Sequence, residues 1–194
     1  MTKNCLVVNL DRCSGCETCI VSCKFENNLG LGDFWCRVLA AGPYGEFPHI
    51  EGYYLPVMCQ QCENPACVAV CPTGASYRDE KTGVVLVDHD KCIGCKYCLY
   101  ACPYGVRSMS KKTGVAQKCT LCSQLTADGT GIPKCASDCP AGARFFGDLD
   151  DPNSAASKEL AKYSADCIHT LKDPGNAHPR TKYILSPSIC EWRS

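Results

Sequence analysis

The sequence predicts an α+β fold in which short β-hairpins and short helices surround metal centres, arranged as two nested units with a C-terminal extension. Two observations predict it. The chain has 194 residues and 20 cysteines, and most of the cysteines recur in groups of similar spacing. Without cysteine the apolar fraction falls from 45% to roughly 35%, which is lean for a packed core, so bound metal is expected to supply part of the folding free energy.

Sixteen of the 20 cysteines fall into four groups, and each group ends with the spacing Cys-x-x-x-Cys. The groups are Cys13, Cys16, Cys19 and Cys23; Cys59, Cys62, Cys67 and Cys71; Cys92, Cys95, Cys98 and Cys102; and Cys119, Cys122, Cys135 and Cys139. Groups one and three are close copies, since DRCSGCETCIVSC (11–23) aligns with DKCIGCKYCLYAC (90–102). Groups two and four both end in Cys-Pro, a small-residue turn and a strand-like run, so the order indicates a duplicated unit.

Disulfides, zinc and iron–sulphur clusters are the three interpretations of these groups. Disulfides give no reason for a repeated spacing, and the region 1–13 shows no secretory signal pattern. Zinc favours paired Cys-x-x-Cys knuckles. The run Cys-x2-Cys-x2-Cys-x3-Cys-Pro is the bacterial ferredoxin signature for [4Fe–4S] clusters, so four matched groups favour four such clusters in ferredoxin-like units.

The last cysteine of a group is expected to ligate a different cluster from its neighbours. Three cysteines at every third residue can curl around one cluster, helped by Gly15 and Gly94, because glycine lets the backbone come close. Cys98 and Cys102 are four residues apart, so on a helical turn Cys102 points onward, past the first cluster. In two-cluster ferredoxins this residue ligates the other cluster.

Predicted strands decide which groups exchange ligands. The segment 73–90, TGASYRDEKTGVVLVDHD, is typical of a hairpin and joins groups two and three. The strand-like runs 5–10 and 143–149 flank groups one and four and can pair in the same way. The expected sets are Cys13, Cys16, Cys19 and Cys139; Cys119, Cys122, Cys135 and Cys23; Cys59, Cys62, Cys67 and Cys102; and Cys92, Cys95, Cys98 and Cys71. The outer unit would span 1–54 and 107–150, the inner unit 55–106, and a tail 151–194.

The sequence resembles the four-cluster iron–sulphur subunit of the dimethyl sulfoxide reductase family of molybdenum and tungsten enzymes, which includes polysulfide, thiosulfate and arsenate reductases. The resemblance covers about residues 3–150. It is carried by YLPVMCQQCENPACVAVCPTGA (54–75) and by the twelve-residue gap between Cys122 and Cys135. One departure is Cys23-Lys24, where that family often has Cys-Pro, but no ligand is lost. The same exchange of fourth ligands holds in that family.

The resemblance implies an electron-transfer subunit without catalytic residues. One end of the cluster row would meet a large subunit with a molybdenum or tungsten bis-pterin guanine dinucleotide cofactor, and the other a quinol-oxidising membrane subunit or a soluble carrier. The alternatives are an independent polyferredoxin-type carrier and a ferredoxin-like component of a hydrogenase or formate dehydrogenase complex. The histidines are scattered and suggest no catalytic site: His49, His89, His169 and His178.

The remaining features give weaker expectations. The formal charge is zero and no basic stripe suggests nucleic acid; no apolar run is long enough to span a bilayer, and the cellular compartment stays open. Basic residues beside the cysteine groups are expected either to offset cluster charge or to be solvated: Arg12, Lys24, Lys91, Lys118 and Lys134.

The tail is expected to form a helix at 155–165 and an extended run at 181–185, and to wrap the surface or dock a partner; the alternative is a strand that closes the fold. Cys5, Cys36, Cys167 and Cys190 stand alone without an assigned role.

Overall fold

The fold consists mainly of short helices and short strands. The computed structural model describes residues 2–193. Met1 and Ser194, where the predicted outer unit begins and the predicted tail ends, lie outside the described residues. The strands are β1 (Asn4–Asn9), β2 (Cys36–Tyr44), β3 (Glu51–Met58), β4 (Ser76–Arg78), β5 (Val85–Val87), β6 (Ser108–Met109), β7 (Ala116–Gln117), β8 (Arg144–Asp148), β9 (Ile168–His169) and β10 (Lys182–Ile184). The helices are α1 (Thr18–Glu26), α2 (Ala66–Ala69), α3 (Tyr97–Tyr100), α4 (Ser123–Thr126), α5 (Lys134–Ser137) and α6 (Ala155–Leu160), with a 3₁₀ turn at Ala165–Cys167. This mixture of short helices and strands agrees with the predicted α+β class.

A four-stranded sheet in the order β8-β1-β10-β9 forms the largest protein scaffold. Between its terminal asparagines β1 is a continuous apolar run, and Cys5 through Val8 are fully buried, as expected of a strand covered on both faces. It pairs antiparallel with β8, from Asn4 opposite Asp148 to Val8 opposite Arg144. The predicted pairing of the runs 5–10 and 143–149 is therefore confirmed.

The predicted hairpin between groups two and three is also present. β4 pairs antiparallel with β5, with Ser76 opposite Val87. Asp79 closes the connection, because its carbonyl accepts from Gly83 N at 2.8 Å and its carboxylate accepts from Thr82 N at 2.7 Å. The polar turn predicted from the sequence thus brings the two cysteine groups together locally.

The structure also contains a longer hairpin, formed by β2 and β3, which was not predicted from the sequence. Its strands pair from Cys36 opposite Met58 to Tyr44 opposite Glu51, with a register shift between Ala41 and Tyr44. Gly42 and Pro43 interrupt β2, and such residues usually mark turns or bulges. A second short hairpin, of β6 and β7, is likewise absent from the predictions.

The tail closes the central sheet. β10 lies between β1 and β9 and runs parallel to β1, with Val7 opposite Lys182. Tyr183 and Ile184 are fully buried, so surface wrapping is wrong for this stretch and the alternative of a fold-closing strand is right. The predicted helix 155–165 ends earlier, at Leu160.

Cysteine side chains form much of the core. The main apolar cluster includes Leu6, Val8, Tyr53 and Met58, and with them the buried side chains of Cys19, Cys36, Cys59, Cys119, Cys135 and Cys190. A lean apolar composition is thus completed by thiols, which places potential metal ligands inside the fold.

Candidate metal centres

The twin loops of groups one and three curl by the same backbone device. Gly15 and Gly94 have φ of 68° and 71°, and Glu17 and Lys96, two residues later, have φ of 61° and 69°. The left-handed residues fold each loop back on itself before helices α1 and α3 begin. Both glycines thus permit the predicted curl of the loops, and a Cβ on Gly94 would lie 2.8 Å from the carbonyl oxygen of Gly114.

Two cavities lie beside the inner hairpin, and each is lined by cysteines of two groups. Cys71 lines one cavity with the first three cysteines of group three, Cys92, Cys95 and Cys98. Cys102 lines the other with the first three of group two, Cys59, Cys62 and Cys67. The cavities enclose about 340 and 360 Å³ of space, part of it open to solvent.

A third cavity, which encloses about 340 Å³ including space open to solvent, combines groups one and four. Its cysteines are Cys13, Cys16, Cys19 and Cys139. This is again three cysteines of one group with the last cysteine of another.

The remaining four cysteines lie together where α1 faces α5. Burial, and then the thiolates of Cys135 and Cys122, raise the pKa of Cys23 to about 12. Burial, and then Cys23 and Cys135, raise the pKa of Cys119. Asn27 Nδ2 lies 3.6 Å from Cys23 Sγ and 4.0 Å from Cys122 Sγ. Twelve of the sixteen cysteines thus line three cavities in the expected combinations, and the other four lie close together; that each set holds one cluster stays a prediction.

Backbone amides point at cysteine sulphurs in several sets. The amides of Ser76, Ala116, Leu121 and Ala143 donate to Cys71, Cys92, Cys119 and Cys139 at 3.3, 3.4, 3.5 and 3.4 Å. Hydrogen bonds to sulphur are among the features that set the potential of iron–sulphur clusters. Among residues 2–193, no three His, Cys, Asp or Glu side chains converge on one metal ion; four thiols surround each cavity instead. This donor set fits a [4Fe–4S] cluster.

Burial raises the pKa of six of the sixteen thiols, so these six need a bound metal to lose their protons at neutral pH: Cys13, Cys23, Cys62, Cys67, Cys119 and Cys122. Burial, and then the thiolates of Cys59, Cys67 and Cys102, raise the pKa of Cys62 to about 12. Because metals bind the thiolate, loading of the sites releases protons.

Cys19 differs, because a neighbouring cysteine stabilises its thiolate. The neighbouring Cys36 thiol lowers the pKa of Cys19 to about 6, and the pKa of Cys36 itself is raised well above its usual value. Cys36 begins β2 and is 3% exposed. No sequence pattern connects this isolated cysteine with group one, because the hairpin that carries it was not predicted.

Arg107 lies between the two inner cavities and contributes to the lining of both. Its Nη2 donates to Cys67 Sγ at 3.0 Å and to Ser76 Oγ at 2.7 Å. Burial alone would lower its pKa, but the thiolates of Cys67, Cys59 and Cys98 raise it. The side chain is 7% exposed.

Arg144 has the same relation to the outer sets. It lines the cavity of Cys13, Cys16, Cys19 and Cys139, and its Nη1 lies 3.8 Å from Cys36 Sγ. Burial opposes its charge, whereas the thiolates of Cys135, Cys36 and Cys19 raise its pKa. β8, which begins at Arg144, also packs against α5, which carries Cys135, so Arg144 lies beside both outer sets.

Of the five basic residues singled out from the sequence, only Lys118 is buried, at 2% exposure. Its Nζ donates to the carbonyl oxygens of Val85 and Cys119. The others have protein partners at or near the surface: Arg12 with Glu159, Lys91 with Asp88, Lys134 with Asp138, and Lys24 with the carbonyls of Gly30 and Asp33. Sequence reasoning missed Arg107 and Arg144, although each is the fifth residue after the last cysteine of a group.

In the part of the chain that the structure describes, no helix has the length and apolar character needed to cross a bilayer.

Comparison with known proteins identifies the family. The family model described as a 4Fe-4S dicluster domain matches residues 50–149. The chain is 42% identical to a Halobacterium salinarum protein provisionally named as the iron-sulfur subunit of a dimethyl sulfoxide reductase, over 100% of this chain and 84% of that protein. It is 45% identical to a sulfite dehydrogenase subunit of Allochromatium vinosum, over 81% of this chain and 73% of that protein. It is also 45% identical to the thiosulfate reductase electron transfer subunit of Salmonella typhi, over 72% of this chain and 73% of that protein. Together with the four sets of cysteines, these similarities show that the chain belongs to the family of iron–sulphur subunits of the dimethyl sulfoxide reductase type.

Proposed function

We propose that this chain carries four [4Fe–4S] clusters and relays electrons between a catalytic subunit and a second redox partner. The observation that supports this most directly is the grouping of sixteen cysteines into four sets of four thiols. A cluster with a thiolate on every iron has no open coordination position, so it transfers electrons and binds no substrate. The chain is accordingly an electron-transfer subunit and not an enzyme.

The ligand sets of the proposal are crossed between groups. They are Cys13, Cys16, Cys19 and Cys139 (cluster 1); Cys119, Cys122, Cys135 and Cys23 (cluster 2); Cys59, Cys62, Cys67 and Cys102 (cluster 3); and Cys92, Cys95, Cys98 and Cys71 (cluster 4). Clusters 3 and 4 form an inner ferredoxin-like unit, and clusters 1 and 2 form an outer unit in which it is nested.

Contacts between the sets support a row in the order 1, 2, 3, 4. Cys59 of cluster 3 lies close enough to Cys119 of cluster 2 for its thiolate to raise the pKa of Cys119. Gln61 joins the same two regions, because its Nε2 donates to Cys119 O at 3.4 Å and its Oε1 accepts from Val85 N at 2.9 Å. The arginines described above lie between the members of each pair. Each cluster site therefore adjoins the next.

The ends of this row are the most exposed. Cys16 and Cys95, which belong to clusters 1 and 4, are the two exposed cysteines among the twenty. Two apolar side chains in the loop and helix of cluster 4, Ile93 and Tyr97, are 68% and 61% exposed. Such end positions suit electron entry and exit through partner proteins.

The proposed catalytic partner is a large subunit with a molybdenum or tungsten bis-pterin guanine dinucleotide cofactor. The names of the relatives support it, because they are subunits of a dimethyl sulfoxide reductase, a sulfite dehydrogenase and a thiosulfate reductase. The second partner would be a membrane subunit linked to quinol or a soluble carrier.

The cluster content can be measured on protein purified without oxygen. It should contain about sixteen irons and about sixteen acid-labile sulphides per chain, as four cubane clusters require. The isolated chain should exchange electrons with redox dyes and turn over no oxidised sulphur compound or sulfoxide. A stable, zinc-loaded protein without iron, or substrate reduction by the chain alone, would overturn the proposal. Isolation from its host with a molybdenum- or tungsten-containing subunit is the expected result, and isolation as a free carrier would contradict the proposed partner.

A further inference from the structure

Two buried arginines lack the carboxylate partners that a buried cation normally needs. Within residues 2–193, neither Arg107 nor Arg144 forms an ion pair with Asp or Glu, although their side chains are 7% and 5% exposed. Nη1 of Arg107, and Nε and Nη2 of Arg144, have no hydrogen-bond partner among the described residues. A buried charge without compensation is strongly destabilising, so each guanidinium requires negative charge from another source.

The cysteine sets supply that charge. Arg107 lines both inner cavities, and its hydrogen bond to Cys67 Sγ at 3.0 Å directs the cation at a proposed ligand. Arg144 lines the outer cavity of Cys19, and β8, which begins at Arg144, packs against α5, which carries Cys135 of the other outer set. Each arginine therefore faces two proposed cluster sites at once.

The two arginines hold the same position relative to their own cysteine groups. Each is the fifth residue after the last cysteine of its group, Cys102 for Arg107 and Cys139 for Arg144. The equivalent positions after Cys71 and Cys23 hold neutral residues, Ser76 and Asn28. Each pair of sets thus has one arginine and one neutral residue at equivalent sites.

We propose that Arg107 holds a fixed positive charge between clusters 3 and 4, and that Arg144 does the same between clusters 1 and 2. Each charge raises the reduction potentials of the two clusters beside it. The inference rests on the proposed function. One electron, supplied by a neighbouring cluster or partner, changes the net charge of a four-thiolate cluster from about −2 to about −3 without forming or breaking a bond. An adjacent cation stabilises the reduced form more than the oxidised form. Arginine keeps its charge at every working pH, so this effect does not depend on pH.

The test is a redox titration of the holoprotein, monitored by electron paramagnetic resonance, on Arg107→Gln and Arg144→Gln. Arg107→Gln should lower the midpoint potentials of clusters 3 and 4 more than those of clusters 1 and 2, and Arg144→Gln should do the reverse. Arg107→Lys and Arg144→Lys retain the charge and should restore most of the shift. Matched controls are Lys91→Gln and Lys134→Gln, since both lysines precede a proposed ligand but have side chains 63% and 39% exposed and paired with aspartates; their shifts should be much smaller.

Iron analysis separates the possible failures. If the wild-type chain shows four titrating clusters and the Gln variants keep their iron with unchanged potentials, the inference is wrong and the proposed function stands. If the Gln and Lys variants both lose the clusters of one pair, the arginine has a structural role and the inference is also wrong. If the wild-type chain itself contains no iron–sulphur clusters, the proposed function fails and the inference fails with it.

Discussion

The inner and outer pairs of cysteine sets share one local plan but differ in how the protein holds them together. The inner pair is joined by a hairpin of two three-residue strands. The buried members of the apolar cluster beside it are Cys67, Val85, Cys98 and Ala116, two of which are proposed ligands, whereas Cys59 of the inner pair belongs to the main cluster. The outer pair depends on β1 and β8, which lie far apart in sequence and form part of a four-stranded sheet. The inner pair therefore has little core without metal, whereas the outer pair has an apolar core of its own.

This difference shows what a nested arrangement requires. A hairpin closes the inner unit at low entropic cost, because its ends are close along the chain. The outer unit has no connecting turn, and the tail supplies additional contacts in its place: β10 pairs with β1, and Ala156 of α6 packs against Cys5 and Val7. The tail is therefore part of the scaffold of the outer pair.

Removal of iron should have the largest effect and should separate the two regions. Chelation under reducing, anaerobic conditions is expected to abolish cooperative thermal unfolding, because cluster binding contributes directly to folding. Hydrogen exchange should show complete loss of protection in β4 and β5 and residual protection in β1, β8 and β10. An apo-protein with an unchanged melting transition, or with the inner hairpin better protected than the central sheet, would contradict this comparison.

Loss of one fourth ligand should damage one cluster only, and this can be tested with one variant in each region. Cys102→Ser is expected to damage the cluster of Cys59, Cys62 and Cys67, and Cys139→Ser the cluster of Cys13, Cys16 and Cys19, because the fourth ligands are crossed. Each variant should lose up to about a quarter of the iron, or convert one cluster to a three-iron form. Anomalous scattering or electron paramagnetic resonance can identify the altered centre. Damage to the cluster of Cys92 in Cys102→Ser would refute the crossed assignment. Cys167→Ser is the control, since this cysteine belongs to none of the four sets.

Sequence spacing was informative here because the relevant interactions are local. The inner hairpin follows from a polar turn between β-rich runs, and the twin loops follow from glycines at fixed positions beside the cysteines. The extended character of 181–185 was also visible in TKYIL, but its place beside β1 was not, because the choice of partner strand depends on the whole fold. Cys36, Arg107 and Arg144 were missed for the same reason: whether a thiol or a cation is buried beside a proposed ligand depends on residues distant in sequence.

Shortening a buried side chain of the tail should weaken the outer region selectively. Ile184 is fully buried in β10 and packs with Cys5, Val7 and Ala156. Ile184→Ala should therefore reduce the free energy of unfolding by about 2–5 kcal/mol, the usual range for a buried isoleucine. Iron release from cluster 1 should accelerate, with little change at clusters 3 and 4, as followed by spectroscopy during anaerobic chelation. Ile189→Ala is the matched control, since Ile189 is 45% exposed. Equal acceleration at all four clusters would indicate that the two regions do not differ in this way.

The smallest predicted effect distinguishes the twin loops themselves. Gly15 and Gly94 both have positive φ, so alanine at either position costs about 1–2 kcal/mol from the backbone alone. A Cβ on Gly15 would meet the ring of Tyr54 at 2.5 Å, whereas one on Gly94 would meet the backbone oxygen of Gly114 at 2.8 Å. Tyr54 is 42% exposed and can rotate away, but the Gly114 carbonyl cannot move without the β6–β7 turn. Gly94→Ala should therefore lower the melting temperature of the holoprotein more than Gly15→Ala, and replacing Tyr54 with Ala should reduce the cost at Gly15 only. Equal losses in both loops would mean that the β2–β3 hairpin holds Tyr54 as rigidly as the backbone holds Gly114.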